Sequence, residues 1–214
     1  MKIGIVGAGG MAQALAGKWQ SKHEVMLSGR DVEKTKAAAK RVGAAHGTAA
    51  DAAAFGEAVV LATRWQDVFS GIESAGGAEA FAGKIVIDIN NPVDIESFVT
   101  TRTDGRSLTQ AIADVLPGAH VGKAFNMAQV AVWEDEDMTY DGRQMVVLFT
   151  ADDEAAKVIT ELITDVGAEP LLVGGNQHAY QLEAAAAIVI KFLFAGRDPK
   201  TIFNFIQPDV KQVS

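Results

Sequence analysis

The stretch Lys2-Ile3-Gly4-Ile5-Val6-Gly7-Ala8-Gly9-Gly10-Met11-Ala12 decides the fold. Its first residues form the apolar run of a buried strand, Lys2–Val6. From about Gly10 the spacing of Met11, Leu15 and Trp19 predicts a helix reaching Ser21. Between strand and helix stands GxGxxA, the bend at which backbone N–H groups and a helix N-terminus can approach a pyrophosphate. Gly7 permits the tight turn, a Cβ at Gly9 would collide with a phosphate, and Ala12 falls where helix and strand must pack closely. Gly7, Ala8, Gly9, Gly10, Met11 and Ala12 are therefore candidates for holding a dinucleotide. The competing reading gives these glycines a tight βα turn and nothing more.

Outward from this bend, a second strand, Glu24–Ser28, ends in Leu27-Ser28-Gly29-Arg30. NAD binders place Asp or Glu here, about 20 residues on, to accept from the ribose 2′-hydroxyl. This tip carries no carboxylate. Arg30 suits a paired hydrogen bond to a 2′-phosphate, with Ser28 and the Gly29 backbone donating beside it and Lys34 adding charge one turn into the next helix. The expectation is NADP(H). Asp31 as a ribose ligand is the rival, but its offset fits the N-cap of a helix over Val32–Val42, which Gly43 stops. A solvated surface cation is the plain alternative for Arg30.

Farther along, strand-length apolar runs alternate with helical patterns, as parallel βαβ units require. Ala58–Ala62 and Lys84–Ile89 read as buried strands, with a helix beginning near Trp65 between them. Ser107 and Gln110 form a capping box opening a helix that Pro117-Gly118 ends, and His120–Phe125 follows as a strand. Gln144–Thr150, a helix from about Asp153 to Val166, and Pro170–Val173 add a further β-α-β element. Ala179–Phe194 reads as the longest helix, apolar almost all round and stopped by Gly196. Asp198-Pro199 then caps a last short helix, and Trp133–Arg143 reads as an acidic loop. The expected architecture is α/β, a Rossmann-type doubly wound and mainly parallel sheet with a small C-terminal helical portion. Residues 1–175 would form the nucleotide-binding domain. Residues 176–214 would complete an acceptor pocket and supply a dimer interface.

Composition narrows the function. The chain has 214 residues, 49% of them hydrophobic and 21% charged, enough to bury a real core. A formal charge of −8 repels nucleic acid and anionic membrane, and no apolar run is long enough to span a bilayer. With no cysteine there is no disulfide, thiolate nucleophile, iron–sulfur cluster or zinc finger. The scattered His23, His46, His120 and His178 fit no metal-ligand spacing, so no metal is expected. A signal peptide is not expected ahead of the glycine motif, and the cytoplasm is the expected location.

Ligands of open α/β sheets lie at the carboxyl ends of the strands. There the sequence offers Ala62-Thr63-Arg64-Trp65, Asn90-Asn91-Pro92 and Asn126-Met127-Ala128. Each has a bland reading as well, since Asn-Asn-Pro is ordinary turn chemistry and Trp65 suits a core. No GxSxG and no close His–carboxylate pair stands out in the sequence, so no catalytic acid, base or nucleophile is expected. Direct hydride transfer needs none, because the protein has only to align two rings and exclude water.

The segments GAGGMAQAL, SGR, TRW, DINNP and LPGAHVGKAFN, with the DDEAAKVITELITDVGAEPLLVGG segment, resemble the coenzyme F420-dependent NADP oxidoreductase family. They are similar too to the cytosolic reductase domain of the STEAP metalloreductases. The resemblance implies a dimeric NADP(H) enzyme exchanging hydride with a deazaflavin (F420) or a flavin. It further implies that Ser28, Gly29 and Arg30 hold the 2′-phosphate while Trp65, Asn91 and Asn126 lie by the nicotinamide. The chain departs from the family at Gly174-Gly175-Asn176-Gln177-His178, where those enzymes tend to carry a Gly-Pro-Leu-type turn, and the acceptor is left open. The GAGGMAQAL start is similar also to pyrroline-5-carboxylate reductase, and the early fold to β-hydroxyacid dehydrogenases. Both need a larger C-terminal domain than the roughly 40 residues here provide. The hydroxyacid enzymes also need a Lys and polar-partner pair that Lys191 and Ala195 do not form. A non-enzymatic NADP sensor is the reading from a different class.

Overall fold

The computed structural model describes residues 1–102 and 104–197. Its first half alternates as the sequence demands: β1 (Lys2–Val6), α1 (Gly10–Trp19), β2 (Glu24–Ser28), α2 (Val32–Val42), β3 (Ala45–Gly47), α3 (Ala49–Phe55) and β4 (Ala58–Leu61). A 3-10 turn at Trp65–Asp67 leads into α4 (Val68–Ser74), α5 (Gly77–Phe81) and β5 (Ile85–Asp88). Then come α6 (Leu108–Val115), β6 (His120–Lys123), α7 (Val130–Glu134), the hairpin strands β7 (Thr139–Tyr140) and β8 (Arg143–Gln144), and β9 (Val146–Ala151). The chain continues through α8 (Asp153–Asp165) and β10 (Glu169–Gly174) to α9 (Ala179–Phe194).

The main sheet runs β10-β9-β6-β5-β4-β1-β2-β3. Strands β1 to β6 are mutually parallel, and the order reverses at β1, which pairs with β2 on one side and β4 on the other. That reversal is the doubly wound switch point. β9 joins β6 antiparallel and β10 runs parallel to β9, so the last two strands oppose the other six.

Alternation along the strands sends side chains to two cores. Ile3, Ile5, Val60 and Ile87 pack with α1, α2 and α8, whereas Val6, Val59, Leu61 and Val86 pack with α3, α4, α5 and α6. Each fully buried aliphatic contributes roughly 1.5–3 kcal/mol. Trp19 fixes α1 to α8 by donating from Nε1 to the Leu162 carbonyl at 3.0 Å.

Local signals explain most boundaries. Asp31 caps α2 by accepting from the Lys34 N–H, and Ser107 with Gln110 closes the capping box of α6. Two expectations are corrected. Helix α1 ends at Trp19 rather than Ser21. The acidic stretch Trp133–Arg143 is not merely loop: it takes in the end of α7 and one strand of a hairpin, because Trp133 is buried and Tyr140 donates to Asp135 at 2.9 Å. The strand expected from Pro170 forms as β10, parallel to β9 as the expected β-α-β element requires, and this pair runs antiparallel to the other six strands. The short helix expected after Asp198-Pro199 lies outside the described residues. No described helix is long and apolar enough to cross a membrane.

Candidate functional site

A cleft of about 830 Å³ opens at the carboxyl ends of β1, β2 and β4, at the switch point. Gly7, with φ +138°, makes the bend out of β1, and a Cβ there would stand 2.2 Å from the Ala62 carbonyl oxygen. Gly9 is different: its φ of −74° suits any residue, and a Cβ would meet nothing within 4 Å. Gly9 therefore faces open space at the start of α1. That start has no side-chain cap and no acidic residue in its first turn. Its first N–H groups consequently point into the cleft with the positive end of the helix dipole behind them. This cradle, which a Cβ would fill, fits a pyrophosphate.

One strand over, Gly29, Arg30 and Lys34 line the same cleft, joined by Arg64 from the tip of β4. Arg30 and Arg64 converge on a single carboxylate oxygen, Asp67 Oδ2, at 3.3 and 2.9 Å. Both guanidinium groups are mostly exposed, so an incoming phosphate can reach them. Lys34 pairs at 3.3 Å with Asp31, whose carboxyl is held below its usual range by the Lys34 backbone N–H and side chain. Ser28 lines the cleft, but its hydroxyl is buried and donates back to the Ile5 carbonyl at 3.0 Å.

The other candidates gather at the tips of β5 and β6. Asn91 Nδ2 donates to the Asn126 carbonyl at 2.7 Å, and Asn126 Nδ2 donates to Asn91 Oδ1 at 2.9 Å and to the Leu182 carbonyl of α9 at 3.2 Å. The residue before, Phe125, holds φ +60°. Phe125 is clamped edge-on between Trp19 and Trp133 at 5.5 and 5.4 Å, and that packing sustains the unusual bend which turns Asn126 back over the strand tips. Among the described residues, two buried side-chain polar atoms lack a hydrogen-bond partner: Asn126 Oδ1 and Thr63 Oγ1. Thr63 lines the cleft, whereas Asn91 and Asn126 do not.

Beneath this rim lies a group of charges that the sequence reading missed. Lys123, Asp88 and Glu183 are fully buried, with Lys123 Nζ 2.8 Å from Asp88 and 3.3 Å from Glu183. Asp88 also accepts from Thr109 Oγ1 and from the backbone and side chain of Asn90. Burial pushes the Glu183 carboxyl up, against the pull of the Lys123 ammonium and with Asp88 adding to the rise. Asn90 is thus occupied by Asp88 and by the Leu61 carbonyl, at 2.9 Å each. Pro92 is buried, its carbonyl taken by Thr101. Trp65 is half-buried against the second core rather than in the cleft wall, and Met127 is half-buried. Ala12 is fully buried against the core, as close packing of α1 requires.

Among the described residues two His–carboxylate pairs form, contrary to the sequence reading, but at the amino ends of β2 and β6, away from the cleft. His23, just before β2, lies 2.7 Å from Asp165, and His120, at the start of β6, lies 3.3 Å from Asp152. Burial would raise Asp165, yet Lys22 and His23 outweigh it and hold the carboxyl below its usual range. Glu161 brings a third ligand atom near His23 and Asp165, where Lys22 already sits 2.7 Å from Asp165.

Residues 2–92 match the family described as NADP oxidoreductase, coenzyme F420-dependent. Over 184 residues the chain is 27% identical to the metalloreductase STEAP3 of Rattus norvegicus, covering 86% of this chain but 36% of that protein. The chain thus spans about a third of the length of this curated relative. A crystal structure from Arthrobacter sp. FB24, provisionally assigned as an F420-dependent NADP-reductase, superposes with a TM-score of 0.82 at 26% identity, covering 91% of this chain and 94% of that one. A reductive aminase from Aspergillus terreus shares the fold, with a TM-score of 0.66 at 18% identity over 91% of this chain and 62% of that one. The resemblance read from the motifs is borne out as a resemblance: residues 2–92 match the coenzyme F420-dependent NADP oxidoreductase family, and the metalloreductase and the Arthrobacter structure are similar to nearly the whole chain.

Proposed function

We propose that the protein transfers hydride between NADP(H) and a deazaflavin such as coenzyme F420, or a flavin. One observation carries the reading: the open, uncapped start of α1 at Gly9 and the guanidinium groups of Arg30 and Arg64 share one cleft. A dinucleotide with a third phosphate suits donors gathered in one cleft in this way, the α1 N–H groups receiving the pyrophosphate and Arg30, Arg64 and Lys34 the 2′-phosphate. Asn126 Oδ1 would accept from the carboxamide, and Asn91 holds Asn126 in place. When bound, the nicotinamide supplies the hydride chemistry itself. The chain's residues bind, orient and keep water out, and neither His–carboxylate pair is near enough to add a proton transfer.

We assign residues 1–175 to nucleotide binding and the remainder to the acceptor side and a homodimer interface, in a cytoplasmic protein. Exposed Ile188, Phe192 and Phe194 on α9, with Leu171 and Leu172 on the edge strand β10, support that interface. Light scattering at micromolar concentration tests it, a monomer counting against it. The activity is tested by following NADPH absorbance with oxidised F420, FMN or FAD. Oxidation with any one supports the reading; tight binding with no oxidation by all three favours a sensor.

A further inference from the structure

The buried charges below the strand tips point to a role for α9 at the hydride end of the site. Glu183 Oε1 and Oε2 accept from the Leu108 N–H, at the first turn of α6, at 2.9 and 3.2 Å. The carboxylate thus sits at the positive end of that helix, with Lys123 Nζ 3.3 Å away. The Lys123 ammonium donates to Asp88 at 2.8 Å and to the Asn90 carbonyl at 2.5 Å, and it forms an ion pair with Glu183. Asp88 ends β5 and Asn90 follows two residues on, Lys123 ends β6, and Glu183 lies on α9. One ammonium therefore joins both strand tips to the C-terminal helix. The residue before Glu183 is Leu182, whose carbonyl holds the Asn126 amide and leaves Asn126 Oδ1 buried and without a donor.

We infer that Glu183 is a positioning residue: by docking α9 onto Lys123 and the Leu108 N–H, it sets the Leu182 carbonyl and so aims the free Oδ1 of Asn126 at the nicotinamide carboxamide. This rests on the proposed placement of the nicotinamide at Asn126. A purely structural role would leave the aim of Asn126 unchanged as long as the chain stays folded. The groups facing Glu183 are Lys123, Asp88 and the Leu108 N–H, with the Thr109 hydroxyl donating to the same Asp88 Oδ2 that Lys123 holds. All are buried, so nothing in solvent can replace a lost carboxylate.

The test uses the full chain as wild type, Glu183→Ala, Glu183→Asp and Glu183→Gln, with three readouts. These are the NADPH dissociation constant by calorimetry, the single-turnover rate of NADPH oxidation by F420 or FMN, and the side-chain amide NMR signals of Asn91 and Asn126 with and without NADP⁺. Glu183→Ala is expected to move the Asn126 signal in the free protein. It should slow transfer on the order of tenfold to a hundredfold, the scale of a small misplacement of the reacting groups, while NADPH affinity changes less than about threefold. Glu183→Gln keeps an acceptor for Leu108 and is expected to restore both signal and rate. If Glu183→Ala fails to fold, Glu183→Asp, which draws the acid back by one methylene, must show the same pattern. The inference is overturned if the folded variant leaves the Asn126 signal at its wild-type position, if affinity and rate fall together, or if Gln does no better than Ala or Asp. Failure of NADP⁺ to shift the Asn91 and Asn126 signals in wild type would instead refute the placement of the nicotinamide, independently of Glu183.

Discussion

Replacing Gly9 by valine separates binding from folding. The backbone there, φ −74° and ψ −176°, is extended and open to any L residue, and the added Cβ meets nothing within 4 Å. Two small terms then set the stability. Losing glycine's freedom in the unfolded chain contributes about 0.4–1 kcal/mol, whereas an aliphatic at the N-cap in place of glycine costs a similar amount. They offset to within about 1 kcal/mol, or roughly 2–4 °C in melting temperature for a chain of this size. Binding has no such compensation, because the valine fills the space in which a pyrophosphate meets the α1 N–H groups. Losing two hydrogen bonds to a charged group, at about 1.5–3 kcal/mol each, weakens either nicotinamide dinucleotide by about 3–6 kcal/mol, a hundredfold to ten-thousandfold. Thermal melts of the free protein and calorimetry with NADPH measure the two quantities separately. Gly7→Ala is the control with the opposite signature, its Cβ 2.2 Å from a carbonyl oxygen at φ +138°, so it should lose stability first. Near-native NADPH affinity in Gly9→Val would place the pyrophosphate elsewhere, and a collapse of its melting temperature would show the cradle to be packed rather than open.

Three further outcomes follow from the charges. Arg30→Ala should weaken NADPH about tenfold to a hundredfold and leave NADH nearly unchanged, by calorimetry; equal losses would mean that the 2′-phosphate lies elsewhere. Asp67→Asn frees the two guanidinium groups that now share its carboxylate, so NADPH should bind severalfold tighter at low salt and less so at high salt, whereas weaker binding would show that Asp67 holds the arginines in place. The Glu183 pKa is raised, so between the ordinary and the raised value the folded chain holds more of this proton than the unfolded chain does. Its contribution therefore falls as pH rises from the ordinary glutamate range to the raised value. Urea melts of Glu183→Gln should lack that decline relative to wild type, and parallel pH profiles would contradict it.

The legible parts of this molecule were those encoded locally. GxGxxA after Lys2–Val6 announces both bend and cradle, Asp31 announces its own cap, and Ser107 with Gln110 announces α6. The helix Ala49–Phe55 escaped because a run of alanines has almost no hydrophobic period, although Thr48 and Asp51 form a capping box that could have marked it. The direction of β9 and β10 escaped for a deeper reason: a strand's side-chain pattern is the same whichever way it runs. The buried charges did leave a trace. Lys123 ends an otherwise uncharged strand, Glu183 interrupts an apolar stretch of helix, and each charge, once buried, requires a partner. What no local pattern supplies is that the partners are each other, 60 residues apart in the chain and 3.3 Å apart in space.

The same contrast runs through the site. The end proposed for the phosphates is made of backbone N–H groups and exposed guanidinium groups, which tolerate small displacements because charge acts over distance and side chains can follow a phosphate. Its other end is made of fixed amides held by buried hydrogen bonds, and hydride transfer needs reacting atoms about 3–3.5 Å apart. Strands β1 to β6 set only one side of that end. The other side is α9, which reaches Asn126 through the Leu182 carbonyl and the strand tips through Glu183. Changes in acceptor on this fold are therefore expected to concentrate along α9 and the turn at Gly174–His178, while the bend at Gly7 and the guanidinium rim stay as they are.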